Sequence, residues 1–348
     1  EYELVLKYYK TDLILLAGYM KKIPENIINL YNNKILNIHP SLLPKYGGQG
    51  FYGMKVHNAV IRSKDKLSGA TVHFVNREYD KGPIIMQKKI VVLTHGGAGS
   101  DPAYADGTAI AGQMGMMGLQ TGEPTIDAAC AAVATLEDDS RFNAGIGSHR
   151  RSDGSVQMDA SCMDSSGRFG AVAALEGFRN PIQVASIVSQ SEYRVLAGKG
   201  AAEFATNQDC KTVSLDEIRN TGKDFSTTDT VGCVIRDGDQ FAAALSTGGI
   251  NKAIPGRVGD VPLIGCGLFV GPQGAVAATG DGEAIAMKIT ALRAYQLIEQ
   301  GMDPKAIVPK VINWFKKPTS FGLIVVSKMG FAGGANDPMA WTASELEV

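Results

Sequence analysis

Short apolar runs, each long enough for one strand, follow one another closely in the last third of the 348-residue chain. They are rich in β-branched residues and separated by turn residues, which is typical of antiparallel strands. Two helical segments then follow the first four strands, and a final strand comes after them. The predicted strands are 230–236, 240–246, 263–269, 274–279 and 321–326, and the predicted helices are 283–299 and 303–315. Separate blocks of strands and helices predict stacked sheets flanked by helices.

The stretch ahead of residue 230 mixes helix and strand. A strand over 91–94 runs into a glycine cluster at 95–99, where consecutive glycines predict tight turns and close backbone approach. Residues 125–137 repeat apolar side chains at helical spacing. The other predicted elements are strands over 154–161 and 169–175 and a helix over 180–189. The polar, glycine-broken span 206–229 then loses this periodicity.

Strand and helix alternate in the first ninety residues, which predicts an α/β unit. The predicted elements are strands over 12–18, 34–37, 70–75 and 83–87 and helices over 24–31 and 52–63. The pattern changes abruptly after residue 90, without the polar linker that is usual between independent domains. We therefore predict two fused units, 1–90 and 91–348.

Composition and charge exclude several classes of protein. Hydrophobic residues make up 45% of the chain, charged residues 20%, and the net charge is −1. This predicts a globular protein without the charge that attracts nucleic acid or an anionic membrane. No apolar run reaches the roughly 20 residues of a membrane-spanning helix, and no signal pattern is present. The five scattered cysteines predict buried thiols in a cytoplasmic protein.

A polar loop after the second predicted strand carries the first candidate catalytic residues. Asn37 and His39 lie two residues apart, on the same side of a strand end, where open α/β sheets bind ligands. An amide and an imidazole that converge there can stabilise a tetrahedral intermediate and transfer protons. A histidine with a purely structural role is the alternative interpretation.

Residues 37–44, with the sequence NIHPSLLP, resemble the signature loop of the folate-dependent formyltransferases, most of all the glycinamide ribonucleotide transformylases. Asp80 matches the acidic residue of that family's second motif. The resemblance implies a partial Rossmann-like α/β fragment in which Asn37, His39 and Asp80 transfer a formyl group from 10-formyltetrahydrofolate. It covers residues 3–90 and only the C-terminal half of a transformylase, without the phosphate-binding first strands. Tetrahydrofolate is therefore an expected cofactor only if this fragment is active.

The second unit contains a threonine that is placed to act as a nucleophile. Thr230 opens a β-branched run, Gly232 leaves room two residues later, and the irregular span precedes it. If the chain is cut after Asp229, Thr230 gains an α-amine with a pKa of about 7.7–8.0, which can activate its own hydroxyl. Taken alone, the stretch is equally that of an ordinary threonine at a strand start.

Three further motifs supply what an amide hydrolase needs. Arg257 can bind a carboxylate with two hydrogen bonds and Asp260 can hold an ammonium group, which together suit the α-groups of an amino acid. The Thr279 hydroxyl and the Gly280 amide, at a strand-to-helix turn, can form an oxyanion hole. Hydroxyls of the run 245–249 can lie beside the nucleophile. The structural alternatives are a surface ion pair, a helix cap and a plain strand end.

In this order the motifs resemble the N-terminal-nucleophile asparaginases, which include plant-type L-asparaginases, isoaspartyl peptidases and glycosylasparaginases. The glycine cluster at 95–99 and the runs NAGIG at 143–147 and MDA at 158–160 match too, so the resemblance extends over residues 91–345. It implies an α+β fold, the four-layer αββα sandwich of the Ntn hydrolases. It also implies autoproteolysis before Thr230, which divides this unit into an α part, 91–229, and a β part, 230–348. An (αβ)₂ assembly and no required cofactor are implied too.

The resemblance further implies roles for individual residues. The implied catalytic residues are Thr230, Thr247, Thr279 and Gly280, and the implied substrate-binding residues are Arg257, Asp260, Gly282 and Asn143. Bacterial members often hold a structural sodium ion on a backbone loop, which corresponds to residues 136–147 here. No metal site built from side chains is expected.

The function expected from this resemblance is hydrolysis of the side-chain amide of asparagine or of β-aspartyl peptides after self-cleavage. Glycosylasparaginase activity is an alternative, because Asp229 and the run 278–282 resemble that branch, although no tryptophan lies near His95. Formyl transfer by residues 1–90 and a non-catalytic interaction module are further alternatives. The expected partner is a small amino-acid or dipeptide substrate, with no nucleic acid and no membrane.

Overall fold

The computed structural model describes residues 2–51, 54–63, 70–87, 89–218 and 230–347. The chain forms two compact units. One comprises Glu1–Ile90 together with Glu345–Val348, and the other comprises Val91–Ser344. Among the described residues, no helix combines the length and the apolar character that crossing a bilayer requires.

The first unit is built on a four-stranded sheet. Its elements are α1 (Tyr2–Tyr8), β1 (Ile14–Ala17), α2 (Glu25–Leu30), β2 (Ile35–His39), α3 (Met54–Ser63), β3 (Thr71–Phe74) and β4 (Ile84–Gln87). The strand order is β1-β2-β3-β4, with the first pair parallel and the others antiparallel. Ile27 and Ile28 of α2 pack on Ile35 of β2. The α/β character predicted for this unit is confirmed, and residues 52–53 of the predicted helix lie outside the described residues.

The second unit contains two sheets. Its elements are β5 (Lys89–Ala98), α4 (Ala105–Gln120), α5 (Thr125–Glu137), β6 (Met158–Asp164), β7 (Phe169–Leu175), α6 (Pro181–Gln190), β8 (Val195–Ala197), α7 (Gly198–Asn207), β9 (Val231–Asp237), β10 (Gln240–Thr247), β11 (Leu268–Gly271), β12 (Gly274–Gly280), α8 (Gly282–Lys288), α9 (Thr290–Glu299), α10 (Pro304–Ile312), β13 (Phe321–Ser327), β14 (Gly330–Ala335) and β15 (Met339–Glu347). The larger sheet has the order β15-β5-β9-β10-β6-β7-β8, and the smaller has the order β11-β12-β13-β14.

The two sheets share a core because successive side chains of a strand point to opposite faces. Ala275 and Ala277 of β12 belong to a core cluster with Val234 of β9 and Leu245 of β10, in the larger sheet. The intervening Val276 packs instead with α9 and α10. Helices α5 and α6 contact strands of the larger sheet. The second unit is therefore a mixed α/β fold in which two sheets face each other.

The glycine cluster at 95–99 differs most from its prediction. The sequence predicts a turn there, whereas β5 continues through it to Ala98. Gly96 allows this because Phe142 lies against its α-carbon, and a methyl group placed there would come within 2.2 Å of that ring. The close approach expected of these glycines is therefore present, but it occurs within the strand and not in a turn.

Helix α4 has no counterpart among the predicted elements. Its four glycines each cost about 1 kcal/mol relative to alanine in a helix, so propensity argues against it. Gly115 explains its formation, because a methyl group placed there would lie only 3.3 Å from Ala128 O and 3.4 Å from Ala132 of α5. The small residues thus allow two helices to pack closely, and tertiary contact outweighs propensity.

The helix predicted over 283–299 is two helices. Ile289 adopts a left-handed conformation with φ +48° between α8 and α9. A β-branched residue rarely takes this conformation, so sequence alone favours an unbroken helix. Glu283, in the first turn of α8, faces the candidate site described below.

Candidate active site

Thr230 lies immediately before β9, a central strand of the larger sheet. It is 5% exposed. Ser246 of β10 pairs with Val231, so continuation of the antiparallel register sets Thr247 beside Thr230. Asp229 and the rest of 219–229 lie outside the described residues. Cleavage after Asp229 therefore stays a prediction.

Thr279 connects the smaller sheet to Thr230. Its hydroxyl oxygen lies 3.4 Å from both the backbone nitrogen and the carbonyl oxygen of Thr230. The backbone N–H of Ala98, at the end of β5, donates to the same hydroxyl at 3.1 Å. The two 3.4 Å contacts are longer than usual hydrogen bonds. Thr279 is fully buried. Its hydroxyl faces the backbone of the candidate nucleophile, Thr230.

Six of the eight predicted residues of this unit line one narrow cleft. The lining residues are Thr230, Thr247, Gly249, Ile250, Arg257, Gly259, Asp260, Gly280 and Gly282. The space open to solvent is about 10 Å³, roughly what one water molecule needs. A substrate therefore requires the cleft to widen.

Gly280 and Gly282 leave room that no other residue type would leave. Gly280 has φ +129°, and a methyl group placed there would lie 2.3 Å from Ser320 O. One placed at Gly282 would come within 2.8 Å of an Asp260 oxygen and 2.9 Å of an Arg257 nitrogen. Both glycines thus bring backbone close to the polar groups of the cleft.

Asn143 takes a different position from the other predicted residues. It is not among the lining residues, and its side-chain amide donates to Gly249 O at 2.7 Å. Its side-chain oxygen accepts from His149 N–H at 3.1 Å, and its carbonyl accepts from Gly248 N–H at 2.9 Å. The described contacts of Asn143 are with the backbone, so it supports the Gly248–Gly249 wall from behind.

Arg257 has a carboxylate partner that the sequence prediction does not include. Its Nε and Nη2 atoms donate to the two carboxylate oxygens of Glu283 at 2.8 and 2.6 Å. The hydrogen bond from Arg257 lowers the pKa of Glu283. The Glu283 side chain is 60% exposed, so it holds the guanidinium from the solvent side. Glutamates are common at helix N-termini, where their negative charge interacts favourably with the helix dipole. The sequence alone therefore does not indicate that Glu283 pairs with Arg257.

Asp260 is buried at the bottom of the cleft beside Arg257. Its Oδ2 atom has no hydrogen-bond partner within the described ranges. Burial raises the pKa of Asp260 to about 7, while the positive charge of Arg257 opposes that shift. A cationic ligand group such as an ammonium would complete this site by pairing with the ionised carboxylate.

This pKa leads to a testable pH dependence. Asp260 is ionised above pH 7, so kcat/KM for an α-amino substrate should fall roughly tenfold per pH unit well below that value. Succinamate, a substrate analogue without the α-amine, should show only the acid limb of the Thr230 α-amine, without the additional fall that protonation of Asp260 causes. A pH–rate profile for asparagine and succinamate measures the difference. Identical profiles for the two compounds would contradict an ammonium-binding role for Asp260.

Two buried titratable groups that no prediction included lie around the nucleophile. Gly232 allows the His95 ring to approach, since a methyl group placed there would lie 2.4 Å from Nε2. Burial lowers the pKa of His95 to about 3 against the opposing effect of the Thr230 backbone, so the ring is neutral. Burial also raises the pKa of Glu137, beside Ser246, to about 8. Their neighbours are distant in sequence, so only the fold reveals them.

The predicted residues of the first unit also converge. Asn37 Nδ2 lies 3.1 Å from His73 Nε2, and Asp80 carboxylate oxygens lie 3.5 Å from ring nitrogens of His39 and of His73. Gly48 N–H donates to Asp80 at 2.9 Å. These residues line a cavity of about 690 Å³. His73 is the member that sequence reasoning did not include, because it lies on a neighbouring strand.

Comparisons with known proteins show similarity to two different families, one along each unit of the chain. A family model described as asparaginase matches residues 87–223 and 215–344, and one described as formyl transferase matches residues 1–100. The isoaspartyl peptidase/L-asparaginase of Danio rerio is 35% identical over 288 residues, covering 73% of this chain and 92% of the relative. The plant-type L-asparaginase of Pyrobaculum calidifontis is 39% identical over 234 residues, covering 59% of this chain and 77% of the relative.

The first unit is similar to a different group of proteins. The chloroplastic phosphoribosylglycinamide formyltransferase of Arabidopsis thaliana is 50% identical over 91 residues, which are 26% of this chain and 31% of the relative. The chain thus spans less than a third of that relative's length. The larger match decides the classification: this chain belongs to the asparaginase family of hydrolases, with a formyltransferase-like segment fused ahead of the asparaginase domain.

Proposed function

We propose that the chain cleaves itself between Asp229 and Thr230 and then hydrolyses the side-chain amide of asparagine or of β-aspartyl peptides. The observation that carries this proposal is the cleft, which is lined by Thr230 together with Arg257, Asp260 and Gly280. The first residue supplies a nucleophile, the next two suit a carboxylate and an ammonium, and the backbone at Gly280 suits an oxyanion. Relatives named for asparagine and isoaspartyl substrates support the same chemistry.

The first stage is the cleavage reaction. The Thr230 hydroxyl attacks the carbonyl carbon of Asp229, the peptide C–N bond breaks, and the acyl group moves from nitrogen to oxygen. Water then hydrolyses the ester, which leaves a carboxylate on Asp229 and a free α-amine on Thr230. The cleft has to widen before a substrate enters, and cleavage is the proposed trigger.

The second stage is amide hydrolysis by the mature N-terminus. The α-amine of Thr230 accepts the proton of its own hydroxyl as that oxygen attacks the substrate amide carbon. Gly280 N–H and the Thr279 hydroxyl stabilise the tetrahedral oxyanion. The proton passes to the leaving nitrogen, ammonia or an amine departs, and water hydrolyses the acyl-enzyme. Thr247, whose hydroxyl accepts from Gly249 N–H at 3.1 Å, supports the nucleophile from the neighbouring strand.

The substrate's α-groups bind opposite the nucleophile. Arg257 binds the α-carboxylate, Asp260 binds the α-ammonium, and Gly282 leaves space between them. The same α-groups occur in asparagine, isoaspartyl dipeptides and glycosylated asparagine. Hydrolysis rates for the three compounds, measured side by side, decide among them, and a preference for glycosylated asparagine would support the glycosylasparaginase alternative.

Assembly and location form part of the proposal. The shared core of the two sheets and the helices packed on them support a four-layer αββα arrangement. We expect an (αβ)₂ assembly after cleavage, which native mass spectrometry tests. The five cysteines are free thiols, four of them buried, which suits a reducing compartment such as the cytoplasm. Fractionation of source cells tests that location.

A structural sodium ion is proposed for the loop between α5 and β6. Gly145 has φ +52°, and a methyl group placed there would lie 2.3 Å from Glu137 O. One at Gly147 would lie 2.0 Å from Phe142 O and 3.0 Å from Ser140 O, so several carbonyl oxygens turn toward these glycines. Hard cations prefer oxygen ligands. We expect a higher Tm in sodium chloride than in choline chloride, and equal values would contradict the ion.

Folate-dependent chemistry by the first unit is a second candidate function. The convergence of Asn37, His39 and Asp80 in a cavity of about 690 Å³ favours it. Consumption of 10-formyltetrahydrofolate by the full chain, lost with His39→Ala and kept with Thr230→Ala, is the expected result if the fragment is active. No consumption above a protein-free blank would confine the protein to amide hydrolysis.

A further inference from the structure

A buried arginine lies directly behind the cleft. Arg151 lies in the loop between α5 and β6, and it is almost completely enclosed, with 2% exposed. Its Nη2 atom donates to Gln157 O at 2.9 Å, whereas Nε and Nη1 have no hydrogen-bond partner in the described part of the chain. Burying a cation without full pairing is costly, so such a group needs an explanation.

The guanidinium of Arg151 rests against Gly249, a lining residue of the cleft. Gly249 has φ +75°, and a methyl group placed on it would lie 2.6 Å from Nη1 and 2.8 Å from Nη2. No side chain therefore stands between the charge and this wall. Asn143 fixes the wall from the same side through its bond to Gly249 O.

Most other residues that line the cleft already have roles in the proposed reaction. Arg257, Asp260 and Gly282 bind the α-groups of the aspartyl part, and Gly280 faces the oxyanion. Thr230 attacks the amide carbon between them. The wall of Thr247, Gly249 and Ile250 is left for the group on the far side of the scissile amide.

We infer that Arg151 sets the leaving-group preference of this site, favouring β-aspartyl peptides whose leaving amino acid carries a free carboxylate. This inference rests on the proposed function. The backbone of Gly249 separates the charge of Arg151 from the carboxylate of the leaving amino acid. Because this region is buried, the two charges interact more strongly than they would in solvent. Asparagine, which releases ammonia, gains nothing from this charge. Arg151 acts as a specificity residue and takes no part in bond breaking.

Asp159 does not cancel this effect. It is the acidic group that most favours the charged form of Arg151, but one of its own oxygens accepts from Ala174 N–H at 2.8 Å. Burial raises the pKa of Asp159. Its other oxygen has no hydrogen-bond partner among the described residues, and neither do Nε and Nη1 of Arg151, so no hydrogen bond joins the two side chains through these atoms. The guanidinium is always protonated, so the wall behind Gly249 is positive.

The test compares two substrates that differ in one group, β-aspartylglycine and β-aspartylglycinamide. We expect wild type to prefer the free acid by roughly tenfold in kcat/KM. Arg151→Gln should lower kcat/KM for the acid about tenfold and change that for the amide less than twofold. Arg151→Lys, which keeps the charge, should retain part of the preference.

Arg150→Gln is the matched control. The Arg150 side chain donates to the carbonyl oxygens of Gly154 and Leu215, at 3.2 and 3.0 Å. The atoms nearest to a methyl group placed on Gly249 all belong to Arg151. Its substitution should leave the acid-to-amide ratio unchanged. Formation of the chain that begins at Thr230 in each variant shows that it has folded.

Several outcomes would overturn the inference. Equal losses of kcat/KM for both substrates in Arg151→Gln would show a structural role. A wild-type acid-to-amide ratio of kcat/KM near one would show that the Arg151 charge does not affect the leaving group. If Arg151→Gln does not fold, loss of the preference in Arg151→Lys would count against the inference. Wild type that hydrolyses asparagine but neither peptide would also overturn the inference. Wild type that hydrolyses neither asparagine nor the peptides refutes the proposed function itself, which is a distinct result.

Discussion

Thr230→Ala is expected to abolish amide hydrolysis, lowering kcat by roughly 10⁴–10⁶, the range seen when a hydrolase loses its nucleophile. The loss has two causes in this protein. The methyl group cannot attack the Asp229 carbonyl, so no free α-amine forms, and the variant also lacks a nucleophile for the substrate. Its fold should be preserved, because the contacts to Thr279 use only the backbone of residue 230. Initial rates with asparagine and a β-aspartyl dipeptide, and Tm, are the measurements.

Thr108→Ala and Thr230→Ser are the controls. Thr108 is a buried threonine of α4 whose hydroxyl donates to Ala105 O at 3.0 Å, within the helix and apart from the cleft lining. Its substitution should cost stability without ending activity. Thr230→Ser keeps a hydroxyl and should retain slow cleavage and measurable turnover. Unchanged turnover by Thr230→Ala would exclude Thr230 as the nucleophile.

Arg257→Gln is expected to lower kcat/KM by roughly 100-fold, mainly through KM, because the substrate carboxylate loses its charged partner. Glu283 loses its partner too, but its side chain is 60% exposed and solvent can hydrate it. The effect on Tm should therefore be small. The variant should still cleave itself. Asp229 is covalently joined to Thr230, so the attack of the Thr230 hydroxyl needs no substrate-binding contact from Arg257.

Steady-state kinetics with asparagine and denaturing gel analysis measure these two effects separately. Arg293→Gln is the matched control, because Arg293 lies over the Trp314 ring at 4.5 Å and does not line the cleft. It should leave KM unchanged. Wild-type KM in Arg257→Gln would remove Arg257 from the substrate site, whereas loss of cleavage in that variant would assign it a role in maturation.

Local sequence patterns predict part of the fold of this chain. The strand predicted over 263–269 begins only at Leu268, and α1, α7, β8, β14 and β15 have no predicted counterpart. The strands at β9, β10, β12 and β13 were predicted within one or two residues, because β-branched and apolar runs bounded by turns are strong signals. Helix α4 and the continuous β5 were not predicted, because in both the glycines serve close packing between elements. That information lies in the partner element and not in the local sequence.

The cleft shows the same limit. Thr230, Thr247, Arg257, Asp260, Gly280 and Gly282 were predicted as site residues and line one space. Glu283 and Arg151 were not, since each looks like an ordinary surface charge until its neighbours are known. Burial is what distinguishes Arg151, and a sequence pattern with two adjacent arginines in a loop predicts exposure instead.

Denaturing mass spectrometry of the purified wild-type chain tests the central claim most directly. Self-cleavage predicts two polypeptides, one of them beginning at Thr230 and ending at Val348, with N-terminal sequencing reading Thr-Val-Gly-Cys-Val. The same preparation of Thr230→Ala should give a single chain. A fully active wild-type protein that stays intact at 348 residues would contradict the account.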